Sequence, residues 1–150
     1  IQNPYFIPKA GVVEDLGRAV ARGVEVKVMV PSAGASDMNI VQHAAHRNFQ
    51  ALLDSGVRIF EYRRTLLHQK VMTVDGVWSA IGSSNFDDRS LETNDELTLG
   101  FHDAALARRM EEIFESDLRE CVELKAAEWR NRGIAHRMLD SAWYLFSEVL

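Results

Sequence analysis

The segment HQKVMTVDGVWSAIGSSN, residues 68–85, decides the fold because its pattern predicts a β-hairpin. His68–Val74 forms the first arm and Val77–Ser83 the second. The dipeptide Asp75-Gly76 between them tolerates the positive φ angles that a tight turn requires. Successive side chains of a strand point to opposite faces, so every second residue of each arm lies on one surface of the hairpin.

Four polar side chains are expected to meet near the open end of this hairpin. His68 and Lys70 project to the same face, about 7 Å apart along the strand. If the arms pair almost symmetrically about the turn, Ser83 and Asn85 fall beside them. An imidazole titrates near neutral pH and suits catalysis at a phosphodiester, while Lys and Asn donors can hold the charge that develops on phosphate oxygens. A His-x-Lys pair alone is weak evidence, since a half-buried histidine on a strand usually only packs.

The chemistry expected of this cluster needs no metal ion and no cofactor. Metal-dependent phosphodiesterases use clusters of carboxylates and histidines, and the sequence around the hairpin contains no such cluster. Cys121 is the only cysteine, which excludes an internal disulfide and a zinc site made of thiolates.

The segments around the hairpin predict an α/β sandwich in which helices flank a mixed central sheet. The predicted order is β-α-β-α-β-β-β-α-α. A first short strand is expected at Tyr5–Ile7, and Asp103 is expected to cap the helix that follows it in the chain. The final 15 residues predict an amphipathic helix, which we assign to packing, with contact to a membrane surface as the alternative.

The composition indicates a single globular domain and argues against a nucleic-acid-binding or membrane-spanning protein. The chain has 150 residues, of which 47% are apolar, enough for one domain over residues 1–150. Its net charge of −5 argues against binding nucleic acid, and its longest uncharged stretch is too short to cross a bilayer, so we expect a soluble chain. Because the chain begins at Ile1 without Met or a signal peptide, we expect it to be part of a longer protein.

The complete pattern around the hairpin is H-x-K-x4-D-x6-G-S-x-N, and it resembles the signature of the phospholipase D superfamily. Asn94 and Glu96 match the N-x-E element that follows this signature in the superfamily. The resemblance implies that His68 is the catalytic imidazole and that Glu96 hydrogen-bonds and orients it. It also implies a metal-independent reaction.

The same resemblance assigns the other motif positions. Lys70 and Asn85 would bind phosphate oxygens, and Ser83 would join them in the phosphate-binding set. Asp75 matches the aspartate of the signature and is included in the catalytic set with His68, although we assign it a mainly structural role, because a turn aspartate commonly bonds its own backbone.

One branch of the superfamily resembles nearly the whole chain. The segments NPYFIP, RGVEVKVMVP, LLHQKVMTVD and DDRSLETNDE are similar to the C-terminal half of bacterial cardiolipin synthases. These enzymes condense two phosphatidylglycerol molecules into cardiolipin, release glycerol and form a phosphohistidine intermediate. The resemblance implies a phosphatidyltransferase whose parent enzyme acts peripherally at the bacterial inner membrane, on its cytoplasmic face.

Such synthases carry two copies of the motif, whereas this chain carries one. The implied partners are therefore the N-terminal half of the same enzyme or a second copy in a homodimer, together with a phospholipid at a membrane surface. The resemblance leaves open whether His68 is the nucleophile or the general acid. Two other functions also remain: a hydrolase of the phospholipase D or endonuclease type, and a half-domain that only binds or supports structure when isolated.

Overall fold

The computed structural model describes residues 1–32 and 39–133, with side chains at all of these except 39–44. Four α-helices, one π-helical turn (Arg89–Thr93) and six strands lie in these ranges. The helices are α1 (Ala10–Ala21), α2 (Asn39–Asp54), α3 (Ala104–Leu118) and α4 (Ala126–Arg130). The strands are β1 (Lys27–Pro31), β2 (Arg58–Tyr62), β3 (Lys70–Val74), β4 (Trp78–Gly82), β5 (Thr98–Phe101) and β6 (Cys121–Leu124).

The six strands form two ladders that a single residue joins. The first ladder has the order β1-β2-β6, in which β1 and β2 are parallel and β6 is antiparallel to β2. The second ladder is the antiparallel set β3-β4-β5. Gln2 lies between the ladders and forms a parallel bridge with Met29 of β1 and an antiparallel bridge with Val71 of β3. The result is the mixed sheet that the sequence predicts.

Helices cover both faces of this sheet, which confirms the α/β sandwich. On one face α1, α2 and α4 pack over the main core, whose buried members include Phe6, Val28, Phe49, Leu52 and Ile59. On the other face α3 covers a smaller core built on Met29, Tyr62 and Leu67. Asp103 caps α3 as expected, because its carboxylate accepts hydrogen bonds from the N–H groups of Ala105 and Leu106.

The order of elements differs from the prediction in three places. The segment expected as a first strand, Tyr5–Ile7, forms only an isolated bridge from Phe6 to Phe86. Four strands lie between α2 and α3, one more than the predicted order counts, and both β6 and α4 follow α3 where neither is predicted. The sequence Cys121–Leu124 is short and partly polar, so its pairing with β2 rather than its own pattern makes it a strand. The predicted final helix lies outside the described residues.

The hairpin has a three-residue turn instead of the predicted two-residue turn. Val74 pairs with Trp78, and the N–H of Val77 bonds the carbonyl of Val74 at 3.1 Å. Asp75 and Gly76 adopt φ angles of 51° and 62°, the left-handed conformation for which this dipeptide is suited. The extra turn residue moves the register by one position, so Lys70 lies opposite Gly82. The symmetric pairing expected to bring Ser83 and Asn85 to the same face as His68 and Lys70 is therefore wrong.

Candidate active site

His68 and Lys70 lie where the chain enters the second ladder. β3 begins at Lys70 rather than at His68, so the histidine precedes the strand and is exposed. The Lys70 ammonium donates a hydrogen bond to the His68 carbonyl oxygen at 3.0 Å. This contact holds the positive charge of Lys70 beside the histidine backbone.

The ring of His68 packs edge-on against the ring of Tyr5. The two ring centroids are 6.1 Å apart and the planes are almost perpendicular, at 86°. Tyr5 belongs to the segment at residues 1–8 that joins the two ladders, and its N–H bonds the Asn3 side-chain oxygen at 3.1 Å. Tyr5 lies far from the histidine in the chain and outside the motif, so no sequence pattern indicates that the two rings are neighbours.

Glu96 is bound by two serine hydroxyls and lies near Lys70. Ser83 donates to one carboxylate oxygen, and Ser90 donates to the other at 3.0 Å. These hydrogen bonds, Ser83 first and then Ser90, lower the pKa of Glu96, with smaller contributions from Asn94 and the charge of Lys70; desolvation opposes them. Within residues 1–32 and 39–133, Glu96 has no hydrogen bond with His68, so its role in orienting the imidazole stays a prediction.

Ser83 reaches Glu96 because β4 and β5 approach each other closely at Gly82. A Cβ atom on Gly82 would lie 2.3 Å from the Leu97 carbonyl oxygen and 2.6 Å from the Thr98 Cα. Beyond this point the Ser83 N–H bonds the Leu97 carbonyl at 2.9 Å, and the Leu97 N–H bonds the Ser83 hydroxyl at 3.1 Å. The glycine of the motif is therefore required by the distance between these strands.

Asn85 is half-buried on the loop that follows β4. Its side-chain oxygen is inaccessible to water and accepts no hydrogen bond in the described part of the chain. Asn3, only 1% exposed, supports the loop on both sides, since its amide donates to the Ser84 carbonyl and its oxygen accepts from the Phe86 N–H, both at 3.4 Å. A buried acceptor without a hydrogen bond is unusual in a folded protein, so the Asn85 side chain is a candidate to bind a ligand.

Asp75 lies at the opposite end of the hairpin from His68 and Lys70. It sits at the tip of the hairpin, five residues along β3 from Lys70, a distance of roughly 17 Å in an extended strand. The tip docks on α3, where the Gly76 N–H bonds the Glu111 carboxylate at 2.8 Å. This position is consistent with the mainly structural role expected of Asp75.

Two further properties of the described residues bear on the site. No group of three or more His, Cys, Asp or Glu side chains among them is arranged to hold a metal ion. None of the helices described is both long enough and apolar enough to cross a bilayer.

The chain is similar in sequence to a known family of proteins. Residues 1–118 match the family model described as cardiolipin synthase, PLD-like domain. Over all 150 residues the chain is 38% identical to the "Probable cardiolipin synthase YwiE" of Bacillus subtilis, and over 148 residues it is 36% identical to "Cardiolipin synthase A" of Serratia proteamaculans. The chain spans about 30% of the length of each of these relatives.

The fold has a counterpart among solved structures. The phosphatidylserine synthase of Haemophilus influenzae matches 99% of this chain with 39% of its own, at a TM-score of 0.77 and 16% sequence identity. At that identity the likeness supports the fold alone.

Proposed function

The chain belongs to the family of PLD-like domains of cardiolipin synthase, and from this we propose that it is one catalytic half of a phosphatidyltransferase that condenses phosphatidylglycerol into cardiolipin. The observation that carries the proposal is the cluster in which Lys70, Ser83 and Glu96 lie together at the mouth of the hairpin, next to His68. This cluster combines a titratable imidazole, a cation and an ionised carboxylate held by hydrogen bonds.

The proposed reaction has two steps that need two imidazoles on opposite sides of phosphorus. One histidine attacks the phosphorus of phosphatidylglycerol, a nitrogen–phosphorus bond forms, and glycerol leaves with a proton from the second histidine. The hydroxyl of a second phosphatidylglycerol then gives its proton to the second histidine and attacks phosphorus. The nitrogen–phosphorus bond breaks, and the first histidine is released. Lys70 and Asn85 hold the phosphate oxygens. In two-motif relatives the C-terminal histidine is usually the acid, so we assign this role to His68; a phosphoryl adduct on His68 would reverse the assignment.

The products distinguish this reaction from its alternatives. Phosphatidylglycerol labelled in its glycerol headgroup is incubated with the enzyme that contains both halves. Transfer yields cardiolipin and one labelled glycerol for each cardiolipin formed, whereas hydrolysis yields phosphatidic acid and no cardiolipin. Cleavage of DNA without lipid products would support the endonuclease alternative, and absence of all products would support a binding module.

We propose that the N-terminal half of the parent enzyme, or a second copy of this chain, completes the site at a membrane surface. Leu66, Leu91 and Leu97 are more than half exposed; Leu66 and Leu97 lie within two residues of a site residue in the chain, and Leu91 follows Ser90, whose hydroxyl bonds Glu96. Leu99 on the edge strand β5 is also 52% exposed. Exposed apolar side chains around an active site favour a covering partner.

This chain alone is expected to form a dimer with weak transferase activity or none, because a two-fold contact brings two copies of His68 together but does not reproduce a dissimilar second half. Light scattering at low micromolar concentration measures the association. Leu97→Glu should weaken it, and Val122→Glu, a matched change at an exposed residue on β6, should not. A strictly monomeric chain would contradict the dimer, and rapid cardiolipin formation by that monomer would contradict the need for two imidazoles.

Glu96→Gln in the complete enzyme should reduce kcat by about 10-fold to 100-fold while changing stability little, since an amide packs like a carboxylate but stabilises an imidazolium less well. The hydrogen bonds that lower the pKa of Glu96 keep it ionised down to acidic pH, so activity that depends on its charge falls only as pH drops through that lowered pKa. The variant should lose this acid limb of the pH–rate profile. Glu92→Gln, on the exposed segment before Glu96, is the control. An unchanged rate and profile would show that Glu96 does not act on His68.

A further inference from the structure

Glu96 receives its hydrogen bonds from serines on two separate segments of the chain. Ser83 follows β4 and donates to Oε2, whereas Ser90 lies in the π-helical turn Arg89–Thr93 and donates to Oε1 at 3.0 Å. Since each serine binds one carboxylate oxygen, the pair determines the rotation of the carboxylate plane.

Ser90 is itself held in place. It is only 6% exposed, and its N–H bonds the Asp87 carboxylate at 2.7 Å. The Asn94 N–H closes the turn on the Arg89 carbonyl at 2.7 Å. Single π-helical turns occur frequently at functional sites, and this turn directs one hydroxyl at a site carboxylate.

The two serines differ in exposure and in the other partner that each can meet. Ser83 is exposed and belongs to the predicted phosphate-binding set, so a bound phosphodiester competes with Glu96 for its single hydroxyl proton. Ser90 is shielded from water, where a hydrogen bond to a charge is stronger, and it is not one of the motif positions.

We propose that Ser90 is a positioning residue, whose hydroxyl keeps the Glu96 carboxylate in place when Ser83 turns toward the phosphodiester of the substrate. The inference rests on the proposed function, because it gives Ser90 a task in the same transfer reaction. Among the described residues, the side chain of Asn94 and the charge of Lys70 on β3 also lower the pKa of Glu96. Both effects remain when only Ser90 is replaced.

The test compares pH–rate profiles of Ser90→Ala, Ser90→Thr and a control, Ser79→Ala, in the enzyme that contains both halves. Ser90→Ala should lose about 10-fold in kcat with KM unchanged. Its acid limb should move to higher pH, because one of the donors that lower the pKa of Glu96 is gone. Ser90→Thr keeps the hydroxyl and should restore the wild-type limb. Ser79 is fully buried and its hydroxyl has no partner in the described ranges, so its removal should leave the profile unchanged.

A second measurement separates this inference from the proposed function. Carbon-13 NMR titration of the Glu96 carboxyl in this chain reports its pKa without substrate, and a rise in Ser90→Ala supports the positioning role even if the enzyme proves to be a hydrolase. A Glu96 pKa and an acid limb that both stay at wild-type values in Ser90→Ala overturn it. Ser90→Cys, which keeps the volume with a weaker donor, should give an intermediate shift and replaces Ser90→Ala if the alanine variant does not fold.

Discussion

Replacement of His68 by alanine in the complete enzyme is expected to reduce phosphatidyl transfer by at least about 1,000-fold, because proton transfer or nucleophilic attack at phosphorus has no substitute once the imidazole is removed. The fold should survive, since His68 is exposed, precedes β3, packs edge-on against Tyr5 and belongs to neither hydrophobic core. The assay is the formation of cardiolipin from labelled phosphatidylglycerol, with circular dichroism to verify folding.

His102→Ala is the matched control, because His102 is an exposed histidine between β5 and α3 and has no assigned role. It should keep wild-type turnover. Wild-type turnover in His68→Ala itself would contradict the assignment of the motif histidine.

The second large effect is expected from Gly82→Ala, which changes no chemical group of the site. A methyl group at this position would lie 2.3 Å from the Leu97 carbonyl oxygen and 2.6 Å from the Thr98 Cα, so β4 and the start of β5 must move apart. Overpacking of this kind costs about 1–3 kcal/mol of the free energy of unfolding. The same movement separates Ser83 from Glu96, and a displacement near 1 Å can reduce activity by about 100-fold.

Urea unfolding and the transfer assay measure these two losses separately. Gly11→Ala is the control, because Gly11 lies in α1 and a Cβ atom there meets no heavy atom within 4 Å. It should be neutral or slightly stabilising. Full stability and activity in Gly82→Ala would show that the two strands accommodate a side chain at their closest approach.

The sequence predicts those parts of the fold that depend on local pattern. The turn dipeptide Asp75-Gly76 and the cap at Asp103 each carry their own signal, and they lie in a hairpin turn and at the start of a helix as expected. The strand β6 and the single bridge at Gln2 depend instead on distant partners, which no local pattern reveals.

Of the motif positions, Ser83 bonds Glu96 directly, whereas the extra residue in the turn puts Gly82 opposite Lys70, and the Ser83 backbone bonds Leu97 just before β5. The catalytic roles of these residues stay predictions. Ser90 and Asn3 were missed because a serine and an asparagine in loops are common, and only burial and hydrogen-bond geometry distinguish these two. The sequence signal that could have indicated Asn3 is its place before Pro4, which favours an extended backbone able to pair.

At Gln2 the sheet is continuous through a single bridged residue, so its two ladders are weakly connected units. The Gln2 backbone N–H and carbonyl bond Val71 at 2.8 and 3.0 Å, while the neighbouring peptide groups bond Met29 at 2.8 and 3.1 Å. Besides these four bonds, the ladders are connected mainly through α3 and the segment around Phe6. We therefore expect the ladder that begins at Lys70 to open at a lower free energy than the main core. Residues 1–3 thus affect how firmly the motif residues are tied to the rest of the domain, although none of them belongs to the motif.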